Sequence, residues 1–140
     1  MNKYMEIAYK EAKKAKINDE IPVGAVIVKN GKVISKAHNK KNKTNKTIDH
    51  AEIIAITKAN KKLKNWRLEE CEIYITLEPC PMCASAIEQA RICKIYTSAT
   101  NNNEEYSIIT NKILKNIEWI KNIDNKKSEL LIKDFFKNKR

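Results

Sequence analysis

The sequence predicts an α/β fold, a three-layer α/β/α sandwich around a five-stranded mixed sheet. Three observations carry that expectation. Helix-period and strand-period segments alternate along the chain. The run Ile21-Pro22-Val23-Gly24-Ala25-Val26-Ile27-Val28 is apolar throughout, as a strand covered on both faces must be. The 140 residues show no repeat, low-complexity linker or compositional shift, so residues 1–140 are expected to form a single domain.

Residues 3–17 place Tyr4, Ile7, Ala8, Ala12 and Ala15 at helical spacing between Lys and Glu, which predicts an amphipathic helix. The apolar run supplies the first strand. Asn30-Gly31 follows it and suits a two-residue hairpin turn, because both residues tolerate positive φ. Residues 32–39 return as the second strand. The wholly polar stretch 40–47, with four lysines, is expected to be a solvated loop. Asp49 is expected to cap a buried helix over residues 50–62, whose Ala51, Ile53, Ile54, Ala55, Ile56 and Ala59 are apolar nearly all round. A third strand over 72–77 runs into Glu78-Pro79. The next helix, over 81–90, starts at Pro81, where a missing N–H costs nothing. Residues 93–99 make a fourth strand, 100–105 a polar loop, 108–115 a short helix, 117–120 a fifth strand and 125–137 the last helix. Cys71 and Cys93 are expected to be buried small hydrophobes. His38 is expected to be a surface or internally satisfied histidine, and Trp66 and Trp119 packing residues.

The formal net charge is +11, from 28 basic and 17 acidic residues. Such an excess suits a polyanionic partner. Heavy use of Lys, Asn and Ile, as in a genome biased toward A and T, raises the lysine count without any partner, so charge alone does not choose a substrate. No apolar run reaches the roughly 18 residues of a membrane span, and the charged start Met-Asn-Lys-Tyr-Met-Glu is unlike a signal peptide. A soluble cytoplasmic protein with no membrane partner is expected. Four cysteines agree with a reducing compartment, and the Cys80/Cys83 spacing argues against two disulfides.

The chemistry is concentrated in His50-Ala51-Glu52 and Pro79-Cys80-Pro81-Met82-Cys83. One imidazole and two thiols make three metal ligands. A structural zinc site takes four protein ligands, whereas a catalytic one takes three and leaves a position open. Cys80 and Cys83, three apart at a helix start, share a side. With His50 neutral, two thiolates balance Zn²⁺, and one ion per chain is expected. Glu52 stands two residues from the histidine, outside the ligand set, where it can handle the proton of a water. A zinc ion lowers the pKa of such a water from about 16 towards 7. Alone, His-x-Glu or Cys-x-x-Cys would say little. Together, each at a helix start and the second directly after a strand, they match at every specified position the known signature H-x-E…P-C-x-x-C of zinc nucleobase deaminases.

Further residues extend the match: Ile21-Pro-Val-Gly-Ala-Val26, Asn39, Trp66-Arg-Leu68, Thr76-Leu-Glu-Pro-Cys-Pro-Met-Cys83 and Asp134-Phe-Phe136. Through them nearly the whole chain resembles the bacterial tRNA-specific adenosine deaminases, the TadA family, within the cytidine deaminase-like superfamily. That resemblance implies a homodimer that binds a tRNA anticodon stem-loop and converts the wobble adenosine to inosine. It implies zinc on His50, Cys80 and Cys83, proton transfer by Glu52, and substrate contacts from Asn39 and Ala51. Single-stranded loops suit such enzymes because their bases can be turned out into a pocket. The chain departs from the family in residues 100–105, which contain no glycine and place Asn101 where the family has an aspartate. This departure bears on contacts to the neighbouring ribose and leaves the zinc chemistry untouched. Two rivals remain open: a deaminase of a free base or nucleoside, of guanine or cytosine type, and a non-catalytic zinc RNA-binding module. The second requires a fourth protein ligand or a dispensable Glu52.

Overall fold

The computed structural model describes residues 2–139. Helix α1 (Lys3–Ile17) starts at Asn2, whose side chain accepts from the Tyr4 and Met5 amides at 3.0 Å each. Strands β1 (Gly24–Lys29) and β2 (Lys32–His38) form a hairpin through Asn30 and Gly31, both at positive φ (49° and 74°). There follow α2 (Lys41–Thr44), α3 (Ala51–Leu63), β3 (Cys71–Leu77), α4 (Pro81–Gln89), β4 (Lys94–Ala99), α5 (Glu104–Ile113), β5 (Glu118–Ile120) and α6 (Asn125–Lys137). The sheet order is β2-β1-β3-β4-β5. β1 is antiparallel to both neighbours, while β3, β4 and β5 run parallel, which makes the sheet mixed as expected.

Strand alternation sorts the core into two layers. Ala25, Ile27, Ile73, Ile75 and Ile95 face the side on which α3 and α4 bring Ala55, Ala59, Ala84 and Ile87. Val26, Val28 and Tyr74 face the other side, against Met5 and Ala8 of α1. Each isoleucine removed from water stabilises the fold by roughly 1.5–3 kcal/mol. At the seam between α1 and β1 the two backbones nearly touch. A Cβ on Gly24 would lie 1.9 Å from the Ala8 carbonyl oxygen, so only glycine fits there. The site is set by where the other layer begins: α4 starts just beyond the carboxyl end of β3, and the start of α3 lies beside it. Ligand sites of open α/β sheets lie beyond strand carboxyl ends.

Several elements differ from expectation for identifiable reasons. β1 begins at Gly24, not Ile21, because the Ile21 and Val23 carbonyls are taken by Asn39 (Nδ2 at 3.1 Å and N at 3.2 Å), leaving Ile21 40% exposed. The polar stretch 40–47 contains the single helical turn α2, held by Glu20, a partner too distant in sequence for local patterns to show. α3 begins at Ala51 with His50 at the cap position, and Asp49 does not cap it. α5 begins at Glu104, four residues early, because the Asn103 side chain accepts from the Tyr106 amide at 3.1 Å. Cys71 is buried, but Cys93 is exposed, its thiol donating to the Cys71 carbonyl at 3.2 Å. Trp66 is 56% exposed, with the Arg67 guanidinium 4.9 Å from its ring centre. Trp119 is half-buried and donates to Thr97 Oγ1 at 2.9 Å. His38 is internally satisfied by Glu11 Oε1 at 2.9 Å. Among the described residues no helix is long and apolar enough to cross a membrane.

Candidate metal centre

Two helix starts build the centre. His50 occupies the cap position of α3 and Cys80 that of α4, and neither side chain caps its own helix. Both are thereby free to face across the gap. Cys83, three residues on from Cys80, points the same way from the first turn of α4. His50 Nδ1 lies 3.7 Å from Cys80 Sγ and 3.5 Å from Cys83 Sγ, and the three donor atoms lie within 4.8 Å of one another. Zn–S bonds of about 2.3 Å and Zn–N bonds of about 2.0 Å at a tetrahedral angle put N and S about 3.5 Å apart. The donor set therefore fits one zinc ion with an open fourth position.

The two sulfurs behave as a pair. The hydrogen bond from Cys83, opposed by burial and aided by His50, brings the Cys80 thiol down to about 4. The same hydrogen bond, with burial, pushes the Cys83 thiol up. The bond to Cys80 raises His50. A metal-free centre thus holds one thiolate, and binding a cation displaces the remaining protons.

Glu52 sits in the first turn of α3, 4% exposed, and its Oε1 is buried with no hydrogen-bond partner among the described residues. Burial is the main force that pushes its pKa up to about 7. Glu52, His50 and Cys80 line a cavity of about 400 Å³ whose walls include Asn39, Asn101 and Tyr106. A second cavity of about 730 Å³ adjoins it at Ile21, Leu77, Asn101 and Tyr106 and extends to Lys133 and Phe136.

Of the residues singled out in the sequence, His50, Glu52, Cys80 and Asn39 thus share one cavity, with Cys83 buried beside them. Ala51 is fully buried, and its amide donates to Asn39 Oδ1 at 2.7 Å. Asn39 therefore supplies the bond that the α3 start lacks. The Asn101 amide N–H donates to Glu78 Oε1 at 3.2 Å, and its Nδ2 donates to the Glu78 carbonyl at 3.4 Å, a bond that an aspartate side chain could not make. Sequence reasoning missed Glu20, Lys41, Glu78 and Tyr106 as wall residues. For Glu20 the only signal was a carboxylate directly before a buried apolar run.

The family model of the cytidine and deoxycytidylate deaminase zinc-binding region matches residues 1–99. A tRNA-specific adenosine deaminase of Bacillus subtilis is 49% identical over 96 residues, a match covering 69% of this chain and 60% of that protein. One of Aquifex aeolicus is 39% identical over 143 residues, covering 98% of this chain and 94% of the relative. A solved structure from a study of A-to-I editing by tRNA:A34 deaminases at the wobble position superposes with a TM-score of 0.85 at 34% identity, covering 91% of this chain and 97% of that one. With its zinc-binding signature, its sheet order and these relatives, the chain belongs to the cytidine and deoxycytidylate deaminase family and, within it, to the tRNA-specific adenosine deaminases.

Proposed function

We propose that the protein is a hydrolase that deaminates adenosine to inosine at the wobble position of a tRNA anticodon, acting in the cytoplasm as a homodimer. The observation that carries the reading is a three-donor zinc set beside a buried carboxylate oxygen without a partner, at one cavity. Zinc on His50 Nδ1, Cys80 Sγ and Cys83 Sγ supplies Lewis acidity that makes water a nucleophile at neutral pH. The remaining work belongs to the chain. Ionised Glu52 takes a proton from the attacking water at Oε1 and delivers it to a ring nitrogen. A second proton, from the added hydroxyl, passes through the same carboxylate to the departing amine, which leaves as ammonia. Burial raises the Glu52 carboxyl above the ordinary carboxylate range in the metal-free chain, which suits a group that must both accept and return a proton.

Asn39 is engaged on both sides, with Oδ1 on Ala51 and Nδ2 on Ile21. Its amide still has one N–H and one lone pair for a nucleoside. Ala51 acts through Asn39, which its amide holds in place. Half-buried Met82 and Ala86 on α4, with exposed Ile108 and Ile109 on α5, supply apolar surface for a second copy. Light scattering checks the dimer.

Direct conversion tests the reading. Purified zinc-loaded protein is mixed with an arginine tRNA carrying an A-C-G anticodon, its wobble-G variant, and free guanine, adenosine and cytidine, with Glu52→Ala as control. Inosine at the wobble position alone, absent with Glu52→Ala, supports the reading. Ammonia from a free base with an unchanged tRNA overturns the substrate. Zinc binding without turnover of any of these overturns catalysis.

A further inference from the structure

Glu20 joins α1 to β1 and is only 2% exposed. Its Oε1 accepts the Asn42 amide at 3.0 Å, and its Oε2 accepts the Lys43 amide at 2.9 Å. Both amides belong to α2, a four-residue helix with no side-chain cap of its own and no buried residue. So short a helix has no stability by itself, and its place is set from outside. Further bonds run along the same seam. Asn42 Nδ2 donates to the Asp19 carbonyl at 3.2 Å and Asn39 Nδ2 to the Ile21 carbonyl at 3.1 Å. Residues 39–43 are thereby fixed against the α1–β1 junction, and Glu20 supplies the charged contact.

The first residue of that turn, Lys41, lines the same cavity as His50 and Glu52. It is exposed, and among the described residues its ammonium has no ion-pair partner. The Asn42 and Lys43 amides are occupied by Glu20, so what the turn offers a ligand is the ammonium. Both Glu20 oxygens are likewise engaged by backbone, and among the described residues Glu20 and Lys41 form no ion pair.

We propose that Glu20 is a positioning residue that holds α2 so that Lys41 Nζ stands at the cavity mouth and receives a backbone phosphate of a polynucleotide substrate. The inference rests on the nucleic-acid reading above and assigns its selection of strand over free nucleoside. A free nucleoside has no phosphate, whereas a nucleotide within a strand has one on each side. With the base turned into the cavity, those phosphates stay at the rim. Lysine suits the task as a compact charge on a long stem.

The test measures the salt dependence of KM for a zinc-loaded enzyme on an RNA hairpin that reproduces the anticodon stem-loop of the arginine tRNA with its wobble adenosine. One lost phosphate contact reduces the slope of log affinity against log salt by about 0.7 for a single strand. Lys41→Ala is expected to raise KM about tenfold at low salt and to flatten that slope, while Lys41→Arg retains it. Glu20→Ala is expected to reproduce the Lys41→Ala slope, and Glu20→Gln, which keeps one acceptor oxygen, to fall between. Lys61→Ala, at the far end of α3, makes the same change in net charge and should leave the slope alone. A wild-type slope in Lys41→Ala overturns the inference. So does a Glu20→Ala protein that loses kcat or thermal stability with the slope intact. A wild-type enzyme inert on the hairpin overturns the substrate reading itself, and this inference with it.

Discussion

Helices α1 and α5 begin differently from α3 and α4. The first two start at asparagines, Asn2 and Asn103, whose side chains accept amides of their own first turn. The other two start at His50 and Cys80, whose side chains turn away from their helices toward each other. A missing cap costs about 1 kcal/mol. The fold offsets that cost from outside: Asn39 accepts the Ala51 amide of α3, and Pro81 opens α4 with a residue that has no amide to satisfy. Of these four starts, the two with side-chain caps only hold structure, and the two without bring their side chains to the candidate metal centre; α2 and α6 also lack a side-chain cap, without lying there.

The largest expected effect separates the metal from the proton carrier. Glu52→Ala should lower kcat by about 10²–10⁴-fold, with one zinc per chain still found by metal analysis. Cys83→Ser should abolish turnover together with stoichiometric zinc. If Glu52→Ala lost its metal as well, Glu52 would belong to the ligand set.

Next comes pH. Glu52 titrates near 7 in the folded chain against 4.5 as its ordinary value, so folding favours its protonated form. Ionisation above pH 4.5 destabilises the metal-free protein, and the penalty is complete once pH passes 7. Relative to wild type, Glu52→Gln should therefore gain stability between pH 4.5 and 7, by up to about 3 kcal/mol. Urea unfolding in the presence of a chelator, at a series of pH values, measures it. A difference that stays flat with pH would mean that Glu52 is not desolvated.

The caps themselves give smaller effects. Asn39→Ala removes the 2.7 Å bond to Ala51 and the 3.1 Å bond to Ile21 and should cost about 1–2 kcal/mol, against about 1 for Asn103→Ala at the exposed start of α5. Smallest is a direct substitution at the borrowed cap. His50→Asn and His50→Ala both lose zinc, but in chelator the asparagine variant should be the more stable by about 1 kcal/mol. Equal stabilities would show that Asn39 already satisfies the whole helix start.

This contrast also explains what the sequence made legible. The strands and long helices follow periods of two and 3.6, and Asn30-Gly31 announces its turn, so the sheet and its layers were readable. The clustering of His50, Cys80 and Cys83 was readable because these residues carry chemistry in their side chains. The α3 start was misread at Asp49 because the real partner, Asn39, lies twelve residues away on the far side of the polar stretch that holds α2. α2 was missed for the same reason, since Glu20 acts over 22 residues. Cys93 and Trp66 were misjudged because residue type reports average burial, whereas their places at a strand start and in a loop decide it.

Gly24 has a consequence for how such a protein can change. The three atoms an added Cβ would meet, at 1.9, 2.8 and 2.9 Å, are all backbone atoms of α1, and none can rotate aside. Mutational drift is closed at that position. The rim segments 41–46 and 102–103 are exposed instead, so a side chain changed there meets solvent, whereas any side chain added at Gly24 meets backbone.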